Sequence, residues 1–209
     1  MGRHQPVIEE GTVERIREAA LSCFSRHGYE GASMRQIALA AEVSVPGLYH
    51  YFPSKQDLLF ELISATHDAA VAQVEAAVAL AGDDPRQRLA AAVWADCDYH
   101  TRFRRESFVS NTELRSLDPE RRARIVAKRD SLKLLMRDII ASGAEQGVFD
   151  VPDPVTVSRA ILTMCTAIST WYDPGGPEMP RQIAGRYCDL AARLAGEVPR
   201  TEPARPVAA

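Results

Sequence analysis

At 209 residues, 46% hydrophobic and 25% charged, the chain has the balance of a globular protein with one or two domains and a sizeable core. Its net charge of −3 supplies none of the basic surplus that many nucleic-acid binders carry, so any grip on phosphate must come from placement. No apolar run reaches about 18 residues, the N-terminus lacks an apolar leader core, and Cys23, Cys97, Cys165 and Cys188 lie far apart with no CxxC. Neither a membrane span, nor a secretory leader, nor a zinc ribbon is expected, and the chain reads as cytoplasmic with buried, reduced thiols.

Residues 1–10 read as a polar arm. Val13, Ile16, Ala20, Cys23, Phe24 and His27 then form a helical stripe that Gly28 ends. Ser33 with Gln36 three residues on is a capping box that starts a second helix. Ser44 opens a very short third helix, SVPGLYHYF, joined to the second only by Ala41-Glu42-Val43. Ser54, with Asp57 behind it, starts a long fourth helix through Leu58, Leu59, Leu62, Ile63, Ala70 and Val74 to near Ala81-Gly82. A helix, a tight turn and a short second helix make the DNA-reading helix-turn-helix pattern.

Asp84-Pro85, Asp118-Pro119 and Asp153-Pro154 each set an N-cap acid before a proline at the first helical position. They predict helices from Pro85 to about Phe103, from Pro119 to a cap at Gly147, and from Pro154 to Asp173. A shorter piece, SFVSNTELRSL, lies between the first two, and a last helix covers about Arg181 to Ala195. No strand alternation occurs. The expected class is all-α with about nine helices. The N-terminal three-helix unit spans 1–60, a second helical unit spans 61–196, and a Pro-rich disordered tail spans 197–209. The border falls inside the Ser54 helix.

The run from Gly28-Tyr29 through Ser33 to IALAAEVSVPGLYHYFPSKQDLL resembles the N-terminal domain of the TetR family of transcriptional repressors, closely over about residues 12–60. The resemblance implies binding to a double-stranded DNA operator. Ser44, Val45, Pro46 and Gly47 are small enough to let the recognition helix approach the groove floor. Tyr49 and His50 are carried over as DNA contacts and Tyr51 and Lys55 as phosphate contacts, with Ser33 and Arg35 gripping the backbone. Leu48 and Phe52 face the core. Residues 1–55 balance six basic against six acidic side chains (Arg3, Arg15, Arg17, Arg26, Arg35, Lys55; Glu9, Glu10, Glu14, Glu18, Glu30, Glu42), so the helix N-termini share the electrostatic task.

For the second unit the resemblance implies ligand binding and a homodimer built on the last two helices, with an inverted-repeat operator. The segment ILTMCTAISTW is apolar or small around most of its girth, as a helix covered on nearly every side must be. Trp171-Tyr172-Asp173-Pro174-Gly175-Gly176-Pro177, Asn111–Leu117 and Gly147-Val148-Phe149 are similar to members that respond to acyl-CoA thioesters. Such an effector needs an apolar slot with arginines at its mouth, for which Arg102, Arg105, Asn111, Arg115 and Trp171 are the candidates. A drug-like or aromatic effector of an efflux or catabolic regulator is the alternative. An enzyme reading, with His67, Asp96, Cys97, Asp98 and His100 as a cluster, lacks HExxH and GxSxG. Asp96, His100 and Arg104, on one helix face at i, i+4 spacing, read better as a surface ion pair. A helical interaction module leaves the small-residue recognition helix unexplained. Neither a cofactor nor a metal is implied.

Overall fold

The computed structural model describes residues 10–198. Among them run nine α-helices: α1 (Glu10–Gly31), α2 (Met34–Ala40), α3 (Val45–Tyr51), α4 (Lys55–Leu80), α5 (Pro85–Arg102), α6 (Arg104–Thr112), α7 (Pro119–Glu145), α8 (Pro154–Trp171) and α9 (Pro180–Leu194), with one 3-10 turn (Glu113–Ser116) before α7. The only bridge of strand type among the described residues is an isolated pair, Phe149 with Glu197. The expected all-α class and helix starts hold. Asp84, Asp118 and Asp153 each accept a backbone N–H at the first turn of α5, α7 and α8. Gly28 breaks α1 with a positive φ of 67°.

The polar arm over residues 1–9 and the tail from 199 lie outside the described residues. The first two residues assigned to that tail are held: Glu197 N–H donates to Ala192 O at 3.0 Å and Val198 N–H to Val148 O at 3.0 Å.

Two cores share α4. Ile16, Phe24, Ile37, Leu48, Leu58, Leu59 and Ile63 close the first, joined by Val109, Leu117 and Ile125 from α6, the 3-10 turn's exit and α7. Val74 and Val78 enter the second, with Leu89, Val93, Met136, Ile140, Ile161, Ile168 and Ile183. Each such side chain is worth about 1.5–3 kcal/mol on burial. The first core therefore includes side chains from far outside residues 1–60. α5 runs through the second unit, packed on α4, α7, α8 and α9. Cys97 on α5 and Cys165 on α8 are buried as free thiols with sulfurs 3.7 Å apart, and Cys23 and Cys188 are half-buried.

Candidate nucleic-acid interface and candidate ligand cavity

The short third helix is built by its first residue and its inward face. Ser44 Oγ accepts Gly47 N–H at 3.1 Å, Pro46 sits in the first turn, and Leu48 is fully buried. With Leu48 and Phe52 turned to the core, Tyr49 and His50 face outward, Tyr49 47% exposed. Ser44 and Pro46 are exposed, Val45 and Gly47 half-buried.

The preceding turn is a Schellman closure. Val43 N–H donates to Ala38 O at 3.0 Å and Glu42 N–H to Leu39 O at 3.2 Å, and Glu42 takes a φ of 56°. Ser33 and Gln36 cap α2 reciprocally, Gln36 N–H to Ser33 Oγ at 3.2 Å and Ser33 N–H to Gln36 Oε1 at 2.9 Å, with Ser33 and Arg35 exposed beside α3.

Two of the carried-over phosphate contacts have other partners. Lys55 Nζ donates to Tyr29 O at 2.7 Å and Ala32 O at 2.9 Å and lies 4.1 Å from the Tyr29 ring centroid, so its ammonium closes the end of α1. Tyr51 is half-buried against the first core, its ring edge-on to His50.

A cavity of about 420 Å³ opens in the second unit, between α4, α5, α6, α7 and α8. Ala70, Val71, Leu132, Leu162 and Ala167 give it apolar walls. Arg159, Thr163 and Thr170, exposed on α8, mark its mouth, with the half-buried Lys133 on α7. Inside, Arg129 is held only by neutral acceptors: Nε donates to His67 Nε2 at 3.1 Å, and one terminal nitrogen to Ser110 O at 3.2 Å and Asn111 Oδ1 at 3.0 Å. Asn111 Nδ2 reaches Ser169 Oγ at 3.3 Å. Burial, with the Arg129 charge behind it, pushes the His67 imidazole down to about 3, so the ring stays neutral and can accept from the guanidinium. Asp96 and His100 line the same cavity, Oδ1 and Nε2 3.4 Å apart.

The expected ligand residues fare unevenly. Asn111 lines the cavity, but Arg102, Arg105, Arg115 and Trp171 do not. Arg102 lies over the Phe103 ring, 5.2 Å from its centroid, and Arg105 forks onto the Glu18 carboxylate at 2.6 and 2.7 Å. Arg115 is exposed at the 3-10 turn, and Trp171 is 43% exposed against Tyr187. The Asp96–His100 pair is a correction too. It is no surface ion pair: Asp96 is 1% and His100 8% exposed, because this face of α5 is the cavity wall. Arg104 does not share that face, since the chain breaks at Phe103 and Arg104 starts α6.

Arg129 is not among the expected ligand residues, because it stands in a cluster with Arg121, Arg122 and Arg124 that composition alone does not resolve. Its phase was available: Ile125, Arg129, Leu132 and Met136 fall on one face of α7, so the guanidinium sits in the buried stripe. Among the described residues no group of three or more His, Cys, Asp or Glu could hold a metal ion, and no helix is long and apolar enough to cross a membrane.

Comparison with known proteins accounts for both regions. The family model "Bacterial regulatory proteins, tetR family" matches residues 16–62, and "Tetracyclin repressor-like, C-terminal domain" matches residues 82–195. The HTH-type transcriptional repressor KstR2 of Mycobacterium tuberculosis is 26% identical over 183 residues, 87% of this chain and 90% of that protein. A solved tetR-family regulator from Rhodococcus RHA1 superposes with a TM-score of 0.86 at 31% identity, covering 91% of this chain and 99% of that one. AibR, solved in complex with isovaleryl coenzyme A and operator DNA, gives 0.80 at 28% identity over 90% of this chain and 100% of its own. The helix-turn-helix unit and the cavity-bearing helical unit are thus the two halves of one architecture, and the chain belongs to the tetR family of ligand-responsive, DNA-binding transcriptional repressors rather than to any enzyme class.

Proposed function

We propose that this repressor acts in the cytoplasm as a homodimer on an inverted-repeat operator and releases it when an acyl-CoA thioester enters the α4–α8 cavity. The observation that carries the reading is Arg129: a guanidinium in an apolar-walled cavity, with no carboxylate among its hydrogen-bond partners. Such a group calls for a carbonyl or anion from the ligand. Lys133 and Arg159 at the mouth suit the phosphates of coenzyme A. The likeness to AibR, whose solved complex holds isovaleryl coenzyme A, supports the ligand class.

The recognition surface is Ser33, Arg35, Ser44, Val45, Pro46, Gly47, Tyr49 and His50, with Tyr51 and Lys55 positioning it from within. Val155, Trp171, Met179, Leu190 and Leu194, exposed on α8, α9 and the loop between them, supply the apolar face for the second copy. Trp171 serves that face rather than the ligand.

Release follows from the bonds of Arg129. They tie α7 to Ser110 and Asn111 on α6, and α6 packs against α1 and α4 of the reading unit. A ligand that claims the guanidinium loosens α6 from α7 and shifts the reading unit by its differential affinity for the two arrangements.

A thermal-shift series with acyl-CoA thioesters, their free acids and coenzyme A tests the ligand class. Stabilisation by thioesters alone, rising with concentration, is expected. Absence of any thioester shift, with stabilisation by aromatic or drug-like compounds, moves the protein to the efflux or aromatic-catabolic class.

A further inference from the structure

Asp96 is the group in this cavity that the protein itself leaves unmatched. It lines the cavity at 1% exposure, and neither carboxylate oxygen receives a hydrogen bond from a protein donor. His100 Nε2 stands 3.4 Å from Oδ1, too long to satisfy the carboxylate. His100 is 8% exposed and its Nδ1 is likewise without a partner. Both Asp96 oxygens and His100 Nδ1 are therefore left for a ligand to satisfy.

A hydrocarbon filling the cavity would strip solvent from Asp96 and return nothing, which is among the costlier arrangements a protein interior can hold. A ligand that brings a donor converts that cost into discrimination. The donor is neutral rather than cationic, because Arg129 and Arg159 line the same cavity and would repel an ammonium.

Resting on the acyl-CoA reading, we propose that Asp96 is an effector-recognition residue: it accepts a hydrogen bond from a neutral donor on the buried part of the effector, either a hydroxyl on the acyl group or an amide N–H of the pantetheine arm. Arg129 takes an acceptor of the same ligand. The cavity therefore selects a polar pattern as well as an apolar volume.

The experiment is calorimetric titration of the full chain with matched pairs, β-hydroxybutyryl-CoA against butyryl-CoA and β-hydroxyoctanoyl-CoA against octanoyl-CoA. It is run on wild type, Asp96→Asn and Asp96→Leu, with melting temperatures of the ligand-free proteins. If the donor is an acyl hydroxyl, wild type prefers the hydroxylated member of a pair by about tenfold or more, and Asp96→Leu erases or reverses the preference. If the donor is the pantetheine amide, Asp96→Leu weakens both members about equally, and Asp96→Asn, which keeps one acceptor oxygen, weakens them less. In either case Asp96→Leu melts at or above wild type, because it removes a buried carboxylate that receives no hydrogen bond from the protein. Unchanged thioester affinities in both variants overturn the inference whatever the melting temperatures; lowered melting temperatures would then assign Asp96 to the fold alone. Should no thioester bind wild type, the acyl-CoA reading fails by itself. The same comparison, made with β-hydroxy acids and their deoxy counterparts, then decides the donor question: equal binding of each pair in all three proteins overturns it.

Discussion

The two halves of this molecule treat their polar groups in opposite ways. In the reading half they are matched locally. Ser33 and Gln36 cap each other, Ser44 caps α3, and Ser54 takes Asp57 N–H at 3.1 Å while its hydroxyl donates to Asp57 Oδ2 at 2.6 Å. Gln56 donates to Tyr29 Oη at 2.8 Å and Ser116 O at 2.8 Å and accepts Asp118 N–H at 3.1 Å. In the sensing half a neutral imidazole, a guanidinium with neutral partners and an unmatched carboxylate surround a void. A surface that must present fixed side chains to DNA gains from being closed. A surface that must respond to a ligand gains from leaving interactions for the ligand to complete.

The sensing half is closed at its far end by packing without slack, and that is where the largest effect is expected. A Cβ at Gly143 would stand 2.1 Å from Phe149 Cδ2 and 2.4 Å from Cε2, and both Val148 and Phe149 donate backbone bonds to Gly143 O. Gly143→Ala should cost about 3 kcal/mol in urea unfolding, and Phe149→Leu in the same chain should return part of it. A loss below about 0.5 kcal/mol would show that this end of the fold gives way more easily than its geometry implies.

His67 provides the next test, of the claim that the cavity holds its groups at a cost. Its folded value of about 3 lies below the ordinary histidine value, so the unfolded chain binds the proton more readily. The contribution is absent above about pH 6.5, and stability falls as the pH drops from there toward 3, by about 2 kcal/mol at pH 5. The difference between wild type and His67→Gln, measured across that range, isolates the histidine from the carboxylates that titrate nearby. Parallel pH profiles for the two proteins would mean that the ring is protonated without penalty in the fold.

The same contrast explains what could be read from the chain. Ser33, Ser44, Ser54 and the three Asp-Pro pairs act within a few residues, so helix starts, the tight turn and the inward Leu48 were all visible. The cavity is assembled from α4, α5, α6, α7 and α8, which lie next to one another only after folding. Asp96 and His100 showed their i, i+4 spacing but not their burial, and Arg102, Arg105 and Arg115 looked equal to Arg129 until helix phase separated them. The partners of Lys55 were hidden for the same reason: Tyr29 O and Ala32 O are backbone atoms of another helix end, invisible in side-chain identity.

Lys55 sharpens the comparison from the reading side. Lys55→Met keeps the stem and removes the two bonds to carbonyls, so about 1.5 kcal/mol of stability should be lost in urea unfolding. If Lys55 instead serves chiefly as a phosphate contact, stability holds and the salt dependence of operator binding flattens by about one unit of slope.

The smallest expected effect is a gain. Glu42 holds a left-handed conformation in the turn between α2 and α3, an exposed position that favours glycine. Both closing bonds come from backbone N–H groups, Val43 to Ala38 and Glu42 to Leu39, so they survive loss of the side chain. Glu42→Gly should therefore stabilise the chain by about 0.5–1 kcal/mol, the relief of strain being partly offset by the greater freedom of glycine when unfolded. It also removes a negative charge next to the recognition helix, so operator affinity should rise at low salt and converge with wild type as salt increases. A loss of stability would mean that the Glu42 side chain contributes to the turn, and the reading half would then rest on more than its caps and backbone closure.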